Sequence, residues 1–177
     1  MKKYEFTGET KEIKLLFRTA VLHRIRATVS FGFVKIGDLG GWIEKEENLS
    51  HEGKAWVWGN AEVCGDAEVW GNAEVCGDAK VWGNAKVCGD AEVFSASHVL
   101  VIGAIGSRND FTTFYRDKDN EITVKCGCFL GKIDRFLEKV TQTHGDSKYA
   151  LVYRAAVEVA KLQIDLSGEA PKDADEE

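Results

Sequence analysis

The stretch VWGNAEVCGDAEVWGNAEVCGDAK, residues 57–80, decides how the middle of this chain folds. It reads in sixes, and VWGNAK and VCGDAE carry the pattern on to Glu92. Each hexad opens with Val, holds Gly third and Ala fifth, and alternates Trp with Cys and Asn with Asp. A six-residue repeat with a glycine in every unit suits short strands joined by tight bends. The alternation chooses the coil length. A 12-residue coil would stack Trp on Trp, Asp66 on Asp78 and Asp78 on Asp90, with like charges about 4.8 Å apart, a destabilising arrangement on neighbouring strands. An 18-residue coil instead sets Trp58 over Cys76, Cys64 over Trp82 and Trp70 over Cys88, with each Asp on an Asn. Glu62 then meets Lys80 and Glu68 meets Lys86; only Glu74 over Glu92 puts like charge on like charge. The sequence predicts an 18-residue coil.

HEGKAW precedes the regular hexads, and VFSASH and VLVIGA follow them more loosely, so the repeat zone runs over residues 51–104. This pattern resembles the hexapeptide repeat of left-handed parallel β-helices. That resemblance implies about three triangular coils, with the leading aliphatic pointing inward and the small residue near a corner. So short a stack has two open ends, and open strand ends invite aggregation unless covered. Trp58, Trp70 and Trp82 are expected to point outward from three faces. They lie over neighbouring Cys residues, under the flanking segments, or at a contact between subunits, since exposed aromatic area marks association.

The flanks supply the covers. Residues 1–50 read as a β-rich cap: in VLHRIRATVSF, the residues Val21, His23, Ile25, Ala27, Val29 and Phe31 share one face. Leu49 is placed to plug the first coil. Residues 105–166 read as a ββαα domain, in which FTTFYR and EITVKCGCF flank DKDN as a hairpin. A helix is predicted over about Lys132–His144, with Ile133, Phe136, Leu137 and Val140 as its apolar stripe and Gly145 as its stop. A second follows from about Ser147 to Leu166, with Tyr149, Val152, Tyr153, Ala156, Val157, Ala160 and Ile164 on one face. Residues 167–177 are expected to be a disordered acidic tail. The fold class is thus mainly β with an α+β C-terminal part.

Charge is uneven along the chain. Residues 51–104 carry three basic and eight acidic side chains, and the tail one and five. An acidic middle and tail argue against a nucleic-acid polymer as partner, because phosphates want a basic stripe. No apolar run reaches membrane-spanning length, and MKKYEFTGETKEIK lacks the apolar stretch of a signal peptide. The expected location is cytoplasmic, where five cysteines stay reduced.

The layout is similar to a group of uncharacterised hexapeptide-repeat proteins of bacteriophages and prophages. The similarity rests on LHRIRA, GDLGGWIEKEENLSHEG, the GNA and GDA hexads, IGSRND and CGCFLGKIDRFLEKVTQTHGD. It implies a phage setting, inside the bacterial host, and no particular activity.

Three chemistries have candidate residues. Many hexapeptide-repeat proteins are acyltransferases, which would make His98 the general base; no orienting partner is evident from spacing. Cys64, Cys76 and Cys88 lie 12 apart, on three faces of an 18-residue coil, and cannot converge on one metal. Cys126 and Cys128 read as core thiols on the face of Ile122 and Val124, and His144 as a helix cap. The bend GAIGSRND, residues 103–110, offers Ser107, Arg108 and Asn109 for a phosphate, with Arg24, Arg26 and Arg116 within possible reach. Gly turns and an Arg–Asp tie at a domain junction would look the same. The expectation is a non-enzymatic binding protein, homo-oligomeric as trimer or dimer and without metal or cofactor. It would take a host factor or sequester a phosphate-containing signalling nucleotide. An acyltransferase-like enzyme and a ligand-free structural spacer are the alternatives.

Overall fold

The computed structural model describes residues 2–167, and the expected acidic tail lies, apart from Ser167, outside them. The chain is mainly β, with two α-helices towards its C-terminal end. In chain order come β1 (Tyr4–Lys14), β2 (Thr19–Ala27) and β3 (Leu39–Ile43). Seven two-residue strands follow: β4 (Trp56–Val57), β5 (Glu62–Val63), β6 (Glu68–Val69), β7 (Glu74–Val75), β8 (Lys80–Val81), β9 (Lys86–Val87) and β10 (Glu92–Val93). Then come β11 (Val99–Ile105), β12 (Asp110–Arg116), β13 (Ile122–Cys126), β14 (Phe129–Lys132), α1 (Ile133–His144) and α2 (Lys148–Gln163).

The short strands pair in parallel at the spacing that the Trp/Cys alternation requires. Val63 lies beside Val81, Val69 beside Val87, Val57 beside Val75, and Val75 beside Val93, each 18 residues on. They build three columns: β3-β5-β8, β4-β7-β10, and Leu49 followed by β6-β9. The first rung is looser, since Ile43 meets Val63 and Leu49 meets Val69 at a spacing of 20. Ile43, Leu49 and the repeat valines are exposed by 1% at most, as are the alanines of the fifth position. Burying a valine side chain fully contributes about 1.5–3 kcal/mol, so the valine interior is the main support of this region.

Both ends are covered. At one end Leu49 fills its column, and Tyr4 reaches over it to donate to the Leu49 carbonyl at 2.8 Å. At the other, Tyr115 of β12 is fully buried against the stack and donates to the Cys88 carbonyl at 2.8 Å. Lys86 N donates to Thr113 Oγ1 at 3.0 Å, and Lys118 N to the Asp90 carbonyl at 3.0 Å, tying the second sheet to the last rung.

Several sequence expectations change. In β2 the buried residues are Ala20 and Leu22, then Ile25 and Ala27, while Val21 is exposed. An irregularity between Arg24 and Arg26 flips the strand by one residue, so its first half packs on Cys64 and its second on the valine core. VLVIGA is no further hexad: it lies in β11, an antiparallel neighbour of β12. The C-terminal sheet has four strands, ordered β11-β12-β13-β14, in place of the two of the ββαα expectation. Four apolar residues in a row without a turn glycine favour a long strand over a bend. On α2, Tyr149 and Val152 prove exposed, and Ala150 joins Tyr153, Ala156, Val157, Ala160 and Ile164 in the core.

Candidate functional site

The residues chosen for a phosphate site do not meet. Arg24 stacks on the Trp42 ring, 5.3 Å from its centroid, and Arg26 forks onto Glu5 at 2.6 Å; both engage neighbours in the N-terminal sheet. Arg116 is buried in the second sheet, with Nε donating to Asn120 at 2.6 Å and its guanidinium over Phe94. Only the bend itself keeps a basic character. Ser107 Oγ lies 3.5 Å from His144 Nε2, the Arg108 guanidinium rests against Gly127, and Asn109 closes the turn at φ 50°. His144 is thus a bend contact, stacked on Tyr153, as well as a last-turn residue.

His98 is 2% exposed, takes the Phe94 N–H on Nδ1 at 3.4 Å and meets the Phe94 ring edge-on. Burial, then Arg116, lowers its pKa below the usual imidazole value. Cys64, Cys76 and Cys88 follow β5, β7 and β9, hence three different columns. Burial pushes the Cys64 thiol up to about 12 and the Cys88 thiol upward. Cys128 is exposed, contrary to the core reading, because the chain turns at Gly127 between β13 and β14. Among the described residues no group of three or more His, Cys, Asp or Glu is placed to hold a metal ion.

Two clefts lie apart from this bend. One, of about 660 Å³, contains Arg18, Glu44, Lys45 and Asp66, and these groups already satisfy one another. Arg18 forks onto Glu44, Gly65 N donates to Glu44 at 2.7 Å, and Lys45 pairs with Asp66 at 2.9 Å. Trp82 lies at its edge and packs with the hydrophobic cluster of Ala20, Leu22 and Cys64.

The other cleft, of about 470 Å³, is walled by three aromatic residues, Phe33, Trp56 and Trp58. Three parts of the chain converge on it. The loop between β2 and β3 supplies Gly32, Phe33 and Val34; the repeat supplies Lys54, Trp56, Trp58, Asn72, Glu74 and Asp90–Glu92; the turn after β12 supplies Lys118. Trp56, Glu74 and Glu92 occupy the same register position on β4, β7 and β10. Trp58 stands edge-on to Trp56 at 6.4 Å, and Phe33 projects at the rim with 87% of its surface exposed. Asp90 is held by Lys118 at 2.9 Å and by Asn72 at 3.1 Å, and the Lys118 hydrogen bond, then that of Asn72, keeps its carboxyl below the usual range. The cleft therefore pairs apolar ring surface with three carboxylates and two ammonium groups, a size and mixture suited to a small ligand.

None of the expected site residues lines this cleft. One signal in the sequence pointed to it: Glu74 over Glu92, the single like-charge pair in an otherwise complementary stack, sits on its wall. Trp58, one of the three outward tryptophans, is partly buried here, as Trp70 and Trp82 are elsewhere. No protein-family model matches the chain, and no curated protein matches it either. No helix among the described residues is long and apolar enough to cross a membrane.

Proposed function

We propose that the chain is a non-catalytic binding protein built on a short left-handed β-helix, and that the aromatic cleft holds a small phosphate-bearing nucleotide. The convergence of Trp58, Phe33, Glu74, Glu92, Lys54 and Lys118 on one cleft carries this reading. A base stacked on an aromatic ring gains about 1–3 kcal/mol. Carboxylates such as Glu74 and Glu92 accept from the exocyclic amino group of a base, and rim lysines meet a phosphate as point charges. A ligand that is flat and donor-rich at one end and anionic at the other answers the cleft's mixed charge. The 18-residue parallel stack with its small fifth residue supports the left-handed helix. The similarity to phage and prophage proteins supplies the setting, the cytoplasm of a bacterial host. There, stoichiometric sequestration of a signalling nucleotide, or capture of a host factor, would blunt a host response.

A second location has its own support, the Ser107–Arg108 bend, where the Ser107 hydroxyl meets the His144 imidazole and the neighbouring Arg108 guanidinium rests against Gly127. Native mass spectrometry of protein from bacterial lysate, before and after adding a mixture of nucleotides and acyl-CoA, separates the readings. The cleft predicts a stoichiometric nucleotide adduct that Trp58→Ala abolishes. Loss on Arg108→Ala alone moves the ligand to the bend. Acyl-CoA uptake that responds to His98→Ala supports an acyltransferase-like enzyme, and no adduct at all supports a structural spacer.

A further inference from the structure

The charged groups of the aromatic cleft divide into those already engaged and those left open. Asp90 is held by Lys118 at 2.9 Å and by Asn72 at 3.1 Å, so that ion pair satisfies itself. Glu92 and Lys54 also line the cleft, and neither side chain makes a hydrogen bond or ion pair among the described residues. They stand at opposite ends. Glu92 lies on β10 and Lys54 just ahead of β4, the outer strands of the column β10-β7-β4, two rungs of about 4.8 Å apart. Trp58 follows β4 and is partly buried on the same cleft. A ligand that answers this arrangement gives hydrogen-bond donors to Glu92 and an anionic group to Lys54.

Glu92 also discriminates among bases. An ionised carboxylate only accepts hydrogen bonds, and it takes two parallel N–H groups best, as from an arginine fork. Guanine presents such a pair, its ring N1–H beside its 2-amino group. The adenine amino group stands between two ring-nitrogen acceptors and the cytosine amino group beside one. Each of those edges therefore sets a lone pair against the carboxylate. The ladder adds a second reason. Glu92 lies directly beside Glu74, in a stack where Glu62 meets Lys80 and Glu68 meets Lys86. Like charges so placed destabilise the free protein, and two N–H donors brought against them relieve the repulsion.

Given the cleft as the nucleotide site proposed above, on which this step rests, we infer that it selects guanine. Glu92 takes the N1–H and 2-amino donors, the base lies against Trp58, and a single phosphate meets Lys54.

Calorimetric titration of the full chain with guanosine, inosine, adenosine and cytidine monophosphates tests this. Guanosine monophosphate should bind most tightly. Inosine monophosphate, which keeps N1–H but lacks the 2-amino group, should bind at least about tenfold more weakly. Glu92→Gln replaces one acceptor oxygen with a donor, so guanosine and adenosine monophosphates should then bind alike. Its urea midpoint should not fall, because the change removes the like charge beside Glu74. Lys54→Ala should weaken guanosine monophosphate and leave guanosine, which has no phosphate, unchanged. Equal affinity for all four, lost in Trp58→Ala, overturns guanine selection while the nucleotide cleft stands. A guanine preference that survives Glu92→Gln overturns it too. Absence of binding by all four overturns the cleft reading together with it.

Discussion

Replacing Gly53 with alanine separates the effect of stacking from that of backbone conformation. Gly53 and Gly59 both have positive φ, 72° and 53°, where a β-carbon costs about 1–2 kcal/mol. They differ in what lies one rung away. A Cβ on Gly59 meets nothing within 4 Å, whereas one on Gly53 would lie 2.5 Å from the Gly71 carbonyl oxygen. That oxygen accepts from Lys54 N at 2.7 Å and from Ala55 N at 2.8 Å, so pushing it aside weakens both bonds. At about 0.5–1.5 kcal/mol each, Gly53→Ala should destabilise by about 2–5 kcal/mol in all and Gly59→Ala by about 1–2. Urea unfolding followed by tryptophan fluorescence reads both values. Equal losses, or a larger loss at Gly59, would refute the 18-residue stacking.

Three further outcomes follow from single contacts. The fork from Arg18, then the Gly65 N–H, holds the Glu44 carboxyl down to about 2 from 4.5. Because its folded pKa is depressed, its stabilisation is present above pH 4.5 and is lost as pH falls towards about 2. With Arg18 45% exposed, that loss should be about 1 kcal/mol, and Glu44→Gln should flatten this part of an acid titration of stability. In thiol labelling of the native protein read by mass spectrometry, exposed Cys128 should react first, with Cys64 and Cys88 reacting only on unfolding; early modification of Cys64 would contradict its burial. Tyr115→Phe leaves the ring but removes the bond to the Cys88 carbonyl, so thermal or urea unfolding should show a loss of about 1–2 kcal/mol.

Much of the scaffold was legible in the chain because repetition makes packing rules explicit. Stacking 18 residues apart follows from which residues tolerate sitting on one another, and Leu49 reads as a plug from its place just ahead of the repeat, although it stands two residues out of phase with the repeat valines. The face change in β2 was hidden, since a one-residue irregularity leaves no mark in the alternation of VLHRIRA. VLVIGA looked like a hexad by its leading Val, yet it pairs with β12 as a long strand. The arginines misled for a physical reason: Arg24 has a tryptophan to stack on and Arg26 a glutamate across the strand, contacts that depend on pairing rather than on local sequence. The cleft was the least legible, because Phe33, Lys54, Trp58, Glu92 and Lys118 come from three segments that meet only once both ends of the stack are covered. Its trace in the sequence was the Glu74–Glu92 exception, a break in local complementarity of the kind found at functional sites.

The most direct test of the binding account is a two-dimensional NMR spectrum of the ¹⁵N-labelled indole N–H groups, recorded while a nucleotide with an amino-bearing base is added. The chain has five tryptophans, and of these only Trp56 and Trp58 line the cleft. The account predicts that those two resonances move with saturation while Trp42, Trp70 and Trp82 stay in place, and that Trp58→Ala removes the response. Shifts confined to the other three indoles, or a spectrum unchanged by adenine, cytosine and guanine nucleotides alike, would contradict it.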